Sequence, residues 1–113
     1  MSINGPENLG PHGRKLNDAI KAFQDAQDKY SEYGAYDTEP RCVFADLLEN
    51  AVEGREVIVP RSGDGWQLYT ASMKCGIAAR GLHSAAKKAV DAIKGAPVNS
   101  LGELKKVVEW WYG

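Results

Sequence analysis

The stretch REVIVPRSGDGWQLYTA, residues 55–71, decides how this chain is read. Val57-Ile58-Val59 is a β-branched run, Arg61-Ser62-Gly63-Asp64-Gly65 is dense in turn-forming residues, and Trp66 to Ala71 reads as a second strand-like segment. Two such runs around a glycine-containing loop predict a β-hairpin. Pro60 has no N–H to give to a ladder and so marks a strand end or edge. In that hairpin Trp66, Leu68 and Thr70 share one face, and Gln67, Tyr69 and Ala71 share the other. Neither face is strongly charged. A lone two-stranded hairpin is marginal in water, so it must lie on helices or pair with another copy of itself. Homodimerisation through hairpin edges or helix faces is therefore expected.

On both sides of this stretch the apolar period is helical. Leu16, Ala19, Ile20, Phe23, Ala26 and Tyr30 recur at spacings of three and four, predicting a first helix over 13–33 with Gly34 as its stop. A second helix follows Thr38 as N-cap, with Pro40 in its first turn, and buries Val43, Phe44, Leu47, Leu48, Ala51 and Val52 before Gly54 ends it. A third helix runs from near Ser72 to just before Gly95, and Gly76 and Gly81 weaken its first half or admit a close helix crossing. Ser100-Leu101-Gly102-Glu103 fits a capping box and opens a fourth helix with Leu101, Leu104, Val108 and Trp111 inward. The expected fold is mainly α with α+β character, four helices in α-α-β-β-α-α order. Residues 1–12, carrying Gly5, Pro6, Gly10 and Pro11, read as a flexible N-terminal arm, and 13–113 as a single helical domain with the hairpin at 55–71.

The chain's 113 residues, 43% hydrophobic and 26% charged, suit one globular domain with a real core. No apolar stretch approaches the roughly 20 residues that span a bilayer, and the first ten residues lack the apolar run of a secretory signal. Cys42 and Cys75 form neither a disulfide framework nor a Cys-x-x-Cys pair, and read as reduced residues of a cytoplasmic protein. Residues 1–53 hold ten acids and five bases, whereas 54–113 hold nine bases and five acids. Such asymmetry points to an electrostatic partner, or to two halves that pack on each other.

No arrangement of residues demands catalysis. His12 and His83 are the only histidines. His83 lies more than two helical turns from Cys75, so a Cys–His nucleophile is not built along the helix. Two histidines without neighbouring ligands predict no metal site, and no cofactor motif is present. Arg61, Ser62 and Gly63 form a candidate anion-binding nest, although the P-loop pattern is absent. The acid pairs Asp25/Asp28 and Glu49/Glu53 fall on expected solvent-facing surfaces, where carboxylates make poor general acids.

The reading is thus a small non-enzymatic protein-interaction module, the class that holds inhibitors, adaptors and accessory proteins, including those carried by viruses and mobile elements. Its partner is another protein. Candidate contact residues are Trp110, Tyr112, Tyr33, Tyr36 and Trp66, because aromatic residues are enriched at interface hot spots. Trp110 and Trp111 lie about 100° apart on a helix, so with Trp111 inward Trp110 faces away. An alternative is a nucleic-acid-binding regulator using Arg80, Lys87, Lys88 and Lys94 of the basic third helix. A further alternative is a small-ligand or nucleotide module with a pocket lined by residues such as Arg61, Trp66 and Tyr69.

Overall fold

The computed structural model describes residues 9–31, 39–68 and 72–112, apart from the side chains of 72–74. Four helices carry the fold: α1 (Pro11–Tyr30), α2 (Pro40–Val52), α3 (Ser72–Lys94) and α4 (Leu101–Tyr112). Two single 3-10 turns, Asp64–Trp66 and Val98–Ser100, connect them. Residues 1–8 of the expected arm, the expected helix stop Gly34 and the expected N-cap Thr38 lie outside the described residues.

α1 starts two residues earlier than expected. Pro11 occupies the first helical position after Gly10, where its missing N–H has no helical partner to lose. The stripe of Leu16, Ala19, Ile20 and Phe23 is buried as its period requires. α2 also opens on a proline, Pro40, but with Glu39 rather than Thr38 at the N-cap. Gly54 ends it at φ 81°, with Gly54 N–H on the Ala51 carbonyl and Arg55 N–H on the Asn50 carbonyl. That pair of bonds is a Schellman close, and it needs the left-handed residue that glycine supplies most easily.

α3 is long, and its buried face is mostly alanine: Ala78, Ala79, Ala85, Ala86, Ala89 and Ala92, with Leu82, Val90 and Ile93. Small side chains let α1 lie close along it, and α1 against α3 is the main helix pairing of the fold. Gly81 contributes directly, because a Cβ there would collide with the Tyr30 ring. Gly76, by contrast, faces open space.

The expected hairpin is absent: the described residues form no strand, so the α-α-β-β-α-α order gives way to four helices. The first run is extended chain laid on the core. Val57 and Val59 are half-buried while Ile58 is 82% exposed. The second run begins as a 3-10 turn. Trp66 N–H and Leu68 N–H both reach the Gly63 carbonyl, Gln67 N–H reaches Asp64, and Gln67 sits at φ 58°. This turn drives the Trp66 indole into the core, where it is fully buried and donates Nε1–H to the Pro60 carbonyl at 3.0 Å. Gly65 lies on the Pro60 ring so tightly that a Cβ would overlap it. The segment closes on itself around Trp66, and burial of that side chain outweighs the β propensity of 57–59.

Four aromatic rings weld the elements together. Phe23 of α1 stacks on Phe44 of α2 with centroids 3.9 Å apart and a 14° interplanar angle. Trp66 tilts against Phe23 at 5.7 Å, and Trp111 of α4 meets Phe44 edge-on at 5.2 Å. α1, α2, the 55–68 loop and α4 therefore share one core.

α4 starts at Leu101, as the Ser100 signal predicts, but the capping box does not form. Ser100 Oγ–H donates to the Pro97 carbonyl at 2.6 Å. Glu103 turns to the other helix and accepts the Gly13 N–H of α1 at 3.0 Å. A carboxylate at a helix N-terminus meets unpaired N–H groups and the positive end of the helix dipole, so α4 caps α1 in place of itself. Gly10 and Gly13 make room for it, since a Cβ at either would press on the Glu103 carboxylate.

Candidate interaction surface

Two adjoining depressions that share Val52 and Glu53 form an open groove along α2 and α4, its second half bordered also by the C-terminal end of α3. On α4, Leu101, Lys105, Val108 and Tyr112 recur at spacings of four, three and four, so they form one stripe. On α2, Glu49, Val52 and Glu53 form the facing wall. The Tyr112 half of the groove encloses about 540 Å³ between Glu49, Val52, Glu53, Lys105, Val108, Glu109 and Tyr112. Val52 and Glu53 continue into the second half, which runs past Ile93, Ala96 and Leu101 to Val98. Of the large hydrophobic residues exposed among those described, Tyr112 (51%) and Val98 (83%) stand at opposite ends of this groove.

Trp111 is buried and Trp110 is 36% exposed, the division expected from their 100° separation. Trp110 opens to a different side of α4 from Tyr112. Trp111 is held by Arg41, whose guanidinium carbon lies 4.9 Å from its ring centroid and whose Nη2 donates to its carbonyl at 2.7 Å. Arg41 thus stacks on the ring and caps the C-terminal end of α4, where a cation is favoured. The indole Nε1 of Trp111 is buried without a hydrogen-bond partner. The other aromatic candidates divide sharply: Trp66 is fully buried and offers no contact surface, and Tyr33 and Tyr36 lie outside the described residues.

Arg80, Lys87, Lys88 and Lys94 are all exposed. Arg80, Lys87 and Lys94 recur every seven residues and make one stripe on α3, whereas Lys88 lies about 100° away from Lys87 on the side of α1. Lys88 shares its furrow with Lys15, Asp18 and Asp91. Lys87 pairs with Asp91 of its own helix at 3.1 Å, and no ion pair among the described residues joins this stripe to acids of α1 or α2.

The candidate nest at Arg61, Ser62 and Gly63 lies over α3. Arg61 and Ser62 are exposed, and Ser62 Oγ accepts the Gly65 N–H at 3.4 Å. Gly63 packs on the Cys75 sulfur, and a Cβ there would overlap it. The following N–H groups of Trp66, Gln67 and Leu68 are spent on Gly63 and Asp64 carbonyls. Of the ligand pocket expected around Arg61, Trp66 and Tyr69, the first is exposed, the second buried, and the third outside the described residues.

Cys42 is exposed and Cys75 half-buried, and neither is in a disulfide. Cys75 and His83 both touch the 60–63 loop, but at different points: the sulfur meets Gly63, and His83 Nδ1 lies 3.0 Å from the Pro60 carbonyl. A carbonyl only accepts, so this contact fixes the Nδ1–H tautomer. Among the described residues no three His, Cys, Asp or Glu side chains converge as metal ligands, and no helix is long and apolar enough to cross a membrane.

Two features of this surface escaped sequence reasoning. Arg41 was counted only as a base, and nothing in the local sequence ties it to a tryptophan 70 positions later. Glu49 and Glu53 were legible as an exposed acidic face, and they are exposed. Their role as one wall of a groove depends on where α4 docks. Comparison with protein-family models, with characterised proteins and with solved structures yields no match.

Proposed function

We propose that this chain is a non-enzymatic interaction module that binds another protein through the α2–α4 groove and the aromatic end of α4. The observation that carries this reading is Tyr112, half-exposed at the mouth of a groove whose floor is Val52 and Val108. A large aromatic half-exposed at the mouth of a cleft is the type of residue that anchors interfaces. The two unpaired cysteines favour a reducing, cytoplasmic setting. Sedimentation of the pure protein distinguishes a second copy from a different chain as the partner. The test is photo-crosslinking from a benzoylphenylalanine placed at position 112 in the native host. A discrete protein adduct, lost when the probe is moved to an exposed α1 position such as 25, is expected. Equal, diffuse labelling from both positions overturns the reading.

A second reading, a nucleic-acid-binding regulator, is favoured by one observation: Arg80, Lys87 and Lys94 form an exposed stripe that no acid of α1 or α2 neutralises. Such a stripe can follow phosphates, and its binding must weaken steeply with salt. The sequence pI of about 6.1 and Asp91 within the stripe weigh against it. Titration with random duplex at low and high salt decides, and absence of binding at low salt removes this reading.

A further inference from the structure

We infer that the α2–α4 groove takes an amphipathic helix from its partner, with an apolar stripe flanked on both sides by lysine or arginine. This inference rests on the interaction-module reading and specifies its ligand. The shape comes first. From Leu101 to Tyr112 the α4 stripe runs about 16 Å, three turns of helix. Its accessible apolar points are half-buried Leu101 and exposed Tyr112, with Lys105 between them and Val108 buried beneath, and Val98 extends the line. An extended peptide would instead seek an unpaired strand edge, and the described residues present none.

Charge then sets the flanks. Glu49 on the α2 wall and Glu109 on the α4 wall face the same floor from opposite sides, and neither is ion-paired among the described residues. Glu53 stands beside Glu49 but is held by Arg55 at 2.6 Å. Lys105 is the single base lining the Tyr112 half, so that half is net negative. In the Tyr112 half, a helix packed on the Tyr112 ring with cations on both flanks meets a carboxylate on each side, whereas the Val98 half, with Arg55 and Lys94 against Glu53 and Glu56, is balanced. An acidic helix meets repulsion twice. Such complementarity acts mainly on specificity and association rate.

The experiment titrates the full-length ¹⁵N-labelled chain with two peptides of roughly 18 residues, long enough to hold a helix. One has a leucine stripe flanked by lysines, and the other has the same pattern with glutamates. The leucine–lysine peptide is expected to shift amides confined to 49–56 and 93–112. It should bind roughly tenfold tighter than the leucine–glutamate peptide, a few surface pairs' worth of preference. The double variant Glu49→Lys/Glu109→Lys, at exposed positions that leave the core intact, should invert that preference. Tyr112→Ala should weaken both peptides. Equal binding of the two peptides, shifts centred on α1 or α3, unchanged preference in the double variant, or no binding of either peptide each overturns the inference. Those results leave the interaction-module reading standing if position 112 still cross-links a protein. Loss of that adduct fails the broader reading by itself.

Discussion

Replacing Trp66 by phenylalanine tests the central departure of this fold from its sequence pattern. The indole is fully buried, packs 5.7 Å from the Phe23 ring centroid, and gives its Nε1–H to the Pro60 carbonyl. Phenylalanine loses that buried hydrogen bond, about 1 kcal/mol. It also leaves part of the indole volume empty among Phe23 and its neighbours, a further 1–2 kcal/mol or so by analogy with other core truncations. The Pro60 carbonyl keeps His83, so it is not orphaned. The expected total is about 2–3 kcal/mol for Trp66→Phe and about 3–5 kcal/mol for Trp66→Ala. Urea unfolding followed by helical circular dichroism measures this, with an unchanged slope showing that the same surface is exposed in each case. A hairpin tryptophan on a solvent-facing strand would lose no more than about 0.5 kcal/mol. A Trp66→Phe variant that unfolds within that margin of the parent refutes the buried-loop account.

The remaining tests address the joints between helices. Gly54→Ala should cost about 1 kcal/mol, because φ 81° strains an L residue although nothing crowds the site, and Gly54→Asn should recover part of it. Glu103→Ala should cost about 1–2 kcal/mol by uncapping α1, with Glu103→Gln in between; thermal melts showing both variants at the parent's midpoint would sink the cross-helix cap. Arg41→Lys keeps the charge but gives up the planar stack on Trp111, and should lose about 1 kcal/mol in urea unfolding. Tyr112→Ala should leave the unfolding curve within about 0.5 kcal/mol of the parent while weakening binding of the leucine–lysine peptide, which separates binding from stability.

The helices were legible because each carries a strong local signal. The stripes of α1 and α2, Pro40 at the start of α2, Gly54 as a stop and the split between Trp110 and Trp111 all follow from spacing or backbone chemistry within a few residues, whereas Pro11, read as part of the arm, opens α1. The hairpin was misread because β-branched residues and glycines give the same local signal for a strand pair as for a loop pressed onto a core. What decides between them is Trp66, whose burial depends on Phe23, more than 40 positions away. Glu103 shows the same limit at finer scale. Ser100-x-x-Glu103 satisfies the local pattern of a capping box, yet the carboxylate finds a better set of donors at Gly13, 90 positions away in the chain. Of the site, the exposed residues were readable one at a time. The groove was not, because it arises only when the Leu101–Tyr112 stripe docks beside Glu49 and Glu53.

The uneven charge of the two halves of the chain admits two explanations, and the packing discriminates between them. Had the acidic and basic halves neutralised each other, ion pairs would bridge α1 or α2 to α3. The ion pairs that join described residues are local instead: Glu53 with Arg55 across the end of α2, and Lys87 with Asp91 within α3. α2 and α3 pack on each other, and Phe44, Leu48 and the buried alanines of α3 belong to one apolar core. Their charged faces therefore point outward, Asp46, Glu49 and Glu53 on α2, and Arg80, Lys87 and Lys94 on α3. Among the described residues, folding leaves this asymmetry as two surfaces of opposite sign. Only the acidic one borders an apolar floor with an exposed aromatic at its mouth, and a partner gains both hydrophobic burial and charge pairing there. A ligand of the α3 stripe would gain charge pairing alone, with the loss to salt that this entails.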